Sequence, residues 1–174
     1  MAVVRPSPTS MRSTLTILRT RNSGHIVNVS SVSGLTSIPG WGLYCAGKHA
    51  PEGLGEALAG EVAEFGVRAT IVEPGYFRTD CLTTDSLVLP DTTSDARPAI
   101  RETVRSHLDP QGSQLGDPVK GARHIITNVL TGGGQLRQVL GSDSHTHTTA
   151  KEDAPRATLD ATRKSAPLTD FAPA

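Results

Sequence analysis

The spacing of apolar positions changes repeatedly between residues 25 and 140 of this 174-residue chain, and each change predicts an element. His25-Ile-Val-Asn-Val-Ser30, behind the turn signal Asn22-Ser23-Gly24, is a β-branched apolar run that predicts a buried strand. Residues 31–42 are rich in Ser, Gly and Pro and read as a loop. From about Leu43 the pattern becomes helical: Leu54, Leu58, Val62 and Phe65 fall at steps of four and three and lay one apolar stripe along a helix. Gly66 suits the C-cap. Residues 67–73 predict a second strand, stopped by Pro74-Gly75. Strand, helix and strand joined so tightly make a βαβ unit, with parallel strands and a right-handed crossover. The loops at the carboxyl ends of such strands bind ligands in open α/β sheets, and Ser30-Ser31 and Pro74-Gly75 both lie there.

Beyond residue 76 the signal thins. Residues 76–116 read as loop with one short helix at Ile100, Val104 and Leu108, an excursion suited to a lid. Asp117-Pro118 supplies an N-cap and a first-turn proline for a helix whose face is Val119, Ala122, Ile126 and Val129, ending before Gly132-Gly133-Gly134. Residues 136–140 suit a last strand. From 142 to 174 the chain is rich in Thr, Ala, Pro and charge, and with Pro155 and Pro167 set to interrupt any helix it reads as a mobile polar tail.

Composition narrows the function classes. Basic and acidic side chains balance at 17 each, which offers no electrostatic argument for nucleic acid or an anionic membrane. No run approaches the roughly 20 apolar residues of a membrane span. Cys45 and Cys81 stand in unrelated contexts, which suits a reducing compartment, and a cytoplasmic protein is the expectation. Residues 1–24 carry Arg5, Arg12, Arg19 and Arg21 with Ser and Thr and no acid. Organellar transit peptides share that composition, but a basic surface helix accounts for it as well. His145 and His147 have no neighbours to complete a metal-ligand set, so no metal is expected.

The stretch Gly40-Trp-Gly-Leu-Tyr-Cys-Ala-Gly-Lys-His49 poses the chemical question. Its glycines approach a phosphate-cradling P-loop, yet a strand must feed that loop and a hydroxyl must follow the lysine, and here Pro39-Gly40-Trp41 and His49 stand instead. Its tyrosine suits proton transfer. Lys48 lies one turn after Tyr44, with Cβ atoms about 5–6 Å apart, so its ammonium can favour the phenolate. Ser31, at the same sheet end, can hydrogen-bond a substrate oxygen.

"GHIVNVSSVSG", "YCAGK" and "VEPGYFRTD", in this order and spacing, resemble the back half of the short-chain dehydrogenase/reductase family. The resemblance covers about residues 17–141 and implies an α/β fold, a partial Rossmann-type doubly wound parallel sheet with its front βαβ units missing. It implies an NAD(P)-dependent oxidoreductase that interconverts a carbonyl and an alcohol. Tyr44 exchanges the proton, Lys48 lowers its pKa and binds the nicotinamide ribose, and Ser31 holds the substrate oxygen. Pro74, Gly75 and Thr79 contact the nicotinamide side of NAD or NADP, residues 81–116 form the substrate lid, and the 44–65 helix makes a homo-oligomer contact.

Three departures accompany the resemblance. No glycine-rich cofactor turn and no counterpart of the family's catalytic asparagine occur in these residues, and residues 1–23 read as a leader followed by the end of a helix. The first strand is left with an unpaired edge, which favours self-pairing or a partner. Pro51 falls inside the catalytic helix and is expected to kink or delay it. A catalytically silent remnant acting through self-association is the alternative.

Overall fold

A turn through Asn22 (φ 47°) separates helix α1 (Pro8–Arg21) from strand β1 (Gly24–Val29) in the computed structural model, which describes residues 8–83, 85–87 and 97–171. Leu15 and Leu18 of α1 pack on the buried cluster Leu58, Val62 and Val67, and the Arg19 guanidinium lies 4.2 Å over the Phe65 ring. Residues 8–21 of the basic segment thus form a helix that packs on the core, and residues 1–7 of the expected leader lie outside the described residues.

Helix α2 (Gly42–Ala63) returns the chain to strand β2 (Val67–Pro74). Gly66, at φ +63°, makes the join; a Cβ there would come within 2.7 Å of the Asn22 carbonyl. β1 and β2 are parallel, in register from Gly24 opposite Val67 to Val29 opposite Val72. Strand β3 (Arg137–Leu140) adds in parallel on the far side of β2, so the order is β1-β2-β3. The central strand is the core: Ile71 and Val72 are fully buried, each worth roughly 1.5–3 kcal/mol of burial. The outer edge of β1 pairs with no described strand, and Val29 is 42% exposed.

Pro51 does not break α2, which runs as one helix across it. The proline ring crowds the carbonyl four residues back, and that residue is Gly47, whose backbone can adjust with no side chain to displace. Helix α3 (Pro98–Leu108) forms within the segment 81–116 expected to be a lid, and residues 84 and 88–96 lie outside the described residues. Helix α4 (Pro118–Leu130) begins as the sequence predicts, with the Asp117 carboxylate accepting from the Val119 and Lys120 amides at 2.8 and 3.1 Å.

The polar tail corrects the sequence reading. Helix α5 (Ser142–Thr162) continues through Pro155. Its start is held by tertiary contacts invisible to local pattern: buried Ser144 donates to the Glu73 carbonyl at 2.9 Å, and Asp143 accepts from the Tyr76 amide at 2.6 Å. An anchored first turn removes the nucleation cost, and propagation carries the helix past one missing N–H. Pro167 falls in the first turn of a separate 3-10 turn (Ala166–Thr169), beyond the end of α5. No helix among the described residues is long and apolar enough to cross a membrane.

Candidate active site

The carboxyl end of β1 and the second turn of α2 are clamped to each other. Lys48 donates its ammonium to the Ser30 carbonyl at 3.0 Å and to the Val29 carbonyl at 3.5 Å, while the Ser30 hydroxyl donates to the Lys48 carbonyl at 3.2 Å. Gly34 permits the approach, since a Cβ there would stand 2.9 Å from both the Lys48 carbonyl and a Glu52 carboxylate oxygen. Ser31, extended and 9% exposed, caps the 3-10 turn Val32–Gly34 through a 3.2 Å bond from the Ser33 amide.

Tyr44 stands in the first turn of α2, and the Lys48 ammonium lies 5.9 Å from its ring centroid, so the two share the face that their spacing predicts. The Ser31 side chain lies near enough to the phenol to bear on its titration. Burial pushes the phenol pKa up, and the neighbouring Ser31 side chain pulls against it. This departs from the lowering by Lys48 that the resemblance implies: the ammonium is committed to the Ser30 and Val29 carbonyls, and its own pKa is lowered by burial, against the charges of Cys81 and Glu52. Tyr44 is therefore held as the neutral phenol, a proton donor. Residues 42–48 are helical, so their glycines form no phosphate-cradling loop.

Pro74 closes β2 opposite Leu140, and the Gly75 amide donates to the Leu140 carbonyl at 2.9 Å. The Asp143 carboxylate packs so tightly on Gly75 that a Cβ would overlap it. Thr79 is exposed on the next turn, where its hydroxyl accepts from the Cys81 amide at 3.4 Å. The structure gathers Ser31, Tyr44 and Lys48 together, sets Pro74 and Gly75 at the same sheet end, and leaves Thr79 on a surface turn. Local pattern misses Cys81, which bears on both Tyr44 and Lys48, and it misses Tyr76 and His107. Only the position of Tyr76, directly after Pro74-Gly75, is a sequence signal.

Beside the site, Glu73 is fully buried and Glu52 nearly so, and both lie 3.4 Å from the Arg137 guanidinium. Burial, then the charge of Glu52, pushes the Glu73 carboxyl up to about 8, with Arg137 pulling it down.

The short chain dehydrogenase family profile matches residues 6–87. A solved short-chain dehydrogenase from Streptomyces avermitilis is 37% identical, with a TM-score of 0.78, and the match covers 92% of this chain and 57% of that one. The chain belongs to the short-chain dehydrogenase/reductase family. Among curated family relatives, oxidoreductase BOA17 of Botryotinia fuckeliana is 33% identical over 76% of this chain and 48% of its own length. Oxidoreductase claN of Passalora fulva is 49% identical over 35% of this chain and 28% of its own. The chain thus spans less than half the length of these two curated relatives. A short-chain dehydrogenase/reductase from Burkholderia phymatum, solved in complex with NAD, shares the fold at 21% identity and a TM-score of 0.58.

Proposed function

We propose that this chain carries the proton-transfer centre of an NAD(P)-dependent oxidoreductase that interconverts a carbonyl and an alcohol. The observation that carries the reading is the Lys48 ammonium, tied to the Ser30 carbonyl at 3.0 Å beside Ser31 and lying 5.9 Å from the Tyr44 ring on the same face of α2. In the reducing direction Ser31 holds the substrate oxygen, and Tyr44 protonates it as negative charge develops there. Lys48 steadies the phenolate that remains.

The donor set fits the ribose end of the dinucleotide. An ammonium has three N–H donors and two are used on carbonyls, so one is left for a ribose hydroxyl. Pro74, Gly75 and Thr79 take the nicotinamide side in this reading, as the family resemblance implies. The cofactor supplies the hydride when bound.

Titrating the chain with NADH and NADPH while exciting Trp41, its single tryptophan, reads energy transfer to the reduced nicotinamide. Saturable transfer is expected. Tyr44→Phe is expected to cost at least the 10²–10⁴-fold typical of a lost general acid, with the circular dichroism unchanged; undiminished turnover sinks the assignment. The open edge of β1 favours a second reading, a silent βαβ core that acts through self-association. A folded chain that gives no transfer decides for it.

A further inference from the structure

The chain holds one Trp, two Tyr and three Phe among its 174 residues, yet the Trp and both Tyr meet at one place. The Trp41 ring lies 6.1 Å from Tyr44, edge to face at 80°, and 5.4 Å from the His107 imidazole. His107 in turn lies 5.7 Å from the Tyr76 ring. The four rings come from the turn before α2, the start of α2, the turn after β2, and the last turn of α3. None is fully buried, and the buried cluster of Leu58, Val62 and Val67 contains no aromatic ring, so stabilising the core does not account for their grouping.

α3 is oriented by its own packing. Ile100 and Val104 lie against the Gly40 turn, where an added Cβ would come within 3.0 and 3.3 Å of them, and His107 continues that face at i+7 and i+3. The His107 Nδ1 atom lies 2.6 Å from the Thr103 carbonyl; a carbonyl only accepts, so Nδ1 is the protonated nitrogen and the ring is held in one orientation. The Trp41 Nε1 donor is buried and has no hydrogen-bond partner among the described residues. A donor left without an acceptor beside a reacting phenol calls for an acceptor brought by a ligand.

We propose that Trp41, Tyr76 and His107 form the substrate-selecting wall of the site, and that the substrate is a carbonyl compound conjugated to a flat π-system, such as an aryl ketone or aldehyde. This rests on the reading of Tyr44 as the proton donor. The ring spacings fall in the range where edge-to-face and offset contacts are favourable. A planar substrate gains such contacts with the wall, and a saturated ring of the same size does not. His107 is the part of this wall supplied by the lid, so substrate choice passes through α3.

Equilibrium dialysis of the full chain, with and without NADPH, against naphthyl methyl ketone and its fully hydrogenated counterpart tests the wall. The aryl ketone is expected to bind tighter. His107→Ala is expected to shrink the ratio of the two affinities by about two- to tenfold, the value of one aromatic contact, and His107→Phe to restore it. A wild-type preference for the saturated ketone, equal ratios in wild type and His107→Ala, or binding of neither ketone overturns the proposal. Tyr44→Phe separates the two readings: undiminished turnover removes the catalytic role of Tyr44, whereas loss of turnover with an intact affinity ratio leaves both standing.

Discussion

Replacing Glu73 by Gln tests the electrostatics of the sheet directly. Glu73 is fully buried on the central strand, and the Arg137 guanidinium is its nearest cation, 3.4 Å away. That guanidinium also serves Glu52 at 3.4 Å and Glu56 at 2.8 Å. Three carboxylates facing one cation are best accommodated when one keeps its proton, and the Glu73 carboxyl, pushed up to about 8, is where that proton is drawn; the step itself belongs to the Glu52–Glu73 pair. A folded-state value raised from 4.5 to about 8 means that the folded chain binds the proton more tightly than the unfolded one. The stabilisation is complete below about pH 4.5 and is lost as pH rises through about 8. It approaches roughly 5 kcal/mol in all, and roughly 3 kcal/mol of it goes between about pH 5 and pH 7. Gln keeps the shape and a donor toward Glu52 but cannot ionise. Urea unfolding followed by circular dichroism is expected to show Glu73→Gln gaining roughly 3 kcal/mol on the wild type over that interval, at unchanged m. Parallel pH dependences in the two proteins refute the reasoning.

Two further outcomes follow from the same geometry. Ile71→Ala opens a cavity under α2, since Ile71 is fully buried and presses on Gly55, where a Cβ would stand 2.7 Å from its Cδ1 atom; a loss of about 2–5 kcal/mol is expected in the same urea assay, and one below about 1 kcal/mol contradicts the packing. Burial holds the Tyr44 phenol protonated through neutrality, so carbonyl reduction is expected to be flat with pH across about pH 6 to 9, while alcohol oxidation, which needs the phenolate, rises with pH. Oxidation that falls as pH rises over that interval contradicts the direction of the shift.

Local pattern reached far into this molecule because its βαβ core is built from short-range rules. The alternation from β-branched run to four-and-three spacing marks β1, α2 and β2, Gly66 and Pro74-Gly75 mark their ends, and Asp117-Pro118 marks the start of α4 to the residue. The Ser31, Tyr44 and Lys48 grouping was legible for the same reason: two of its members share one helix face, and the third lies on the loop that a parallel strand must present at that end. Where hydrogen bonds and contacts join residues distant in sequence, the pattern was silent or misleading. α5 crosses Pro155 because Ser144 and Asp143 are anchored 71 and 67 residues away. The protonation of Tyr44 is set by how deeply the phenol is buried and by which carbonyls take the Lys48 ammonium. Trp41, Tyr76 and His107 meet only because three separate segments fold onto one sheet end. Periodicity and spacing report what neighbours along the chain do to one another, and they determined the βαβ core, the start of α4 and the shared helix face of Tyr44 and Lys48. Burial, charge balance and the walls of the site depend on which elements pack together, and only the tertiary structure decided them.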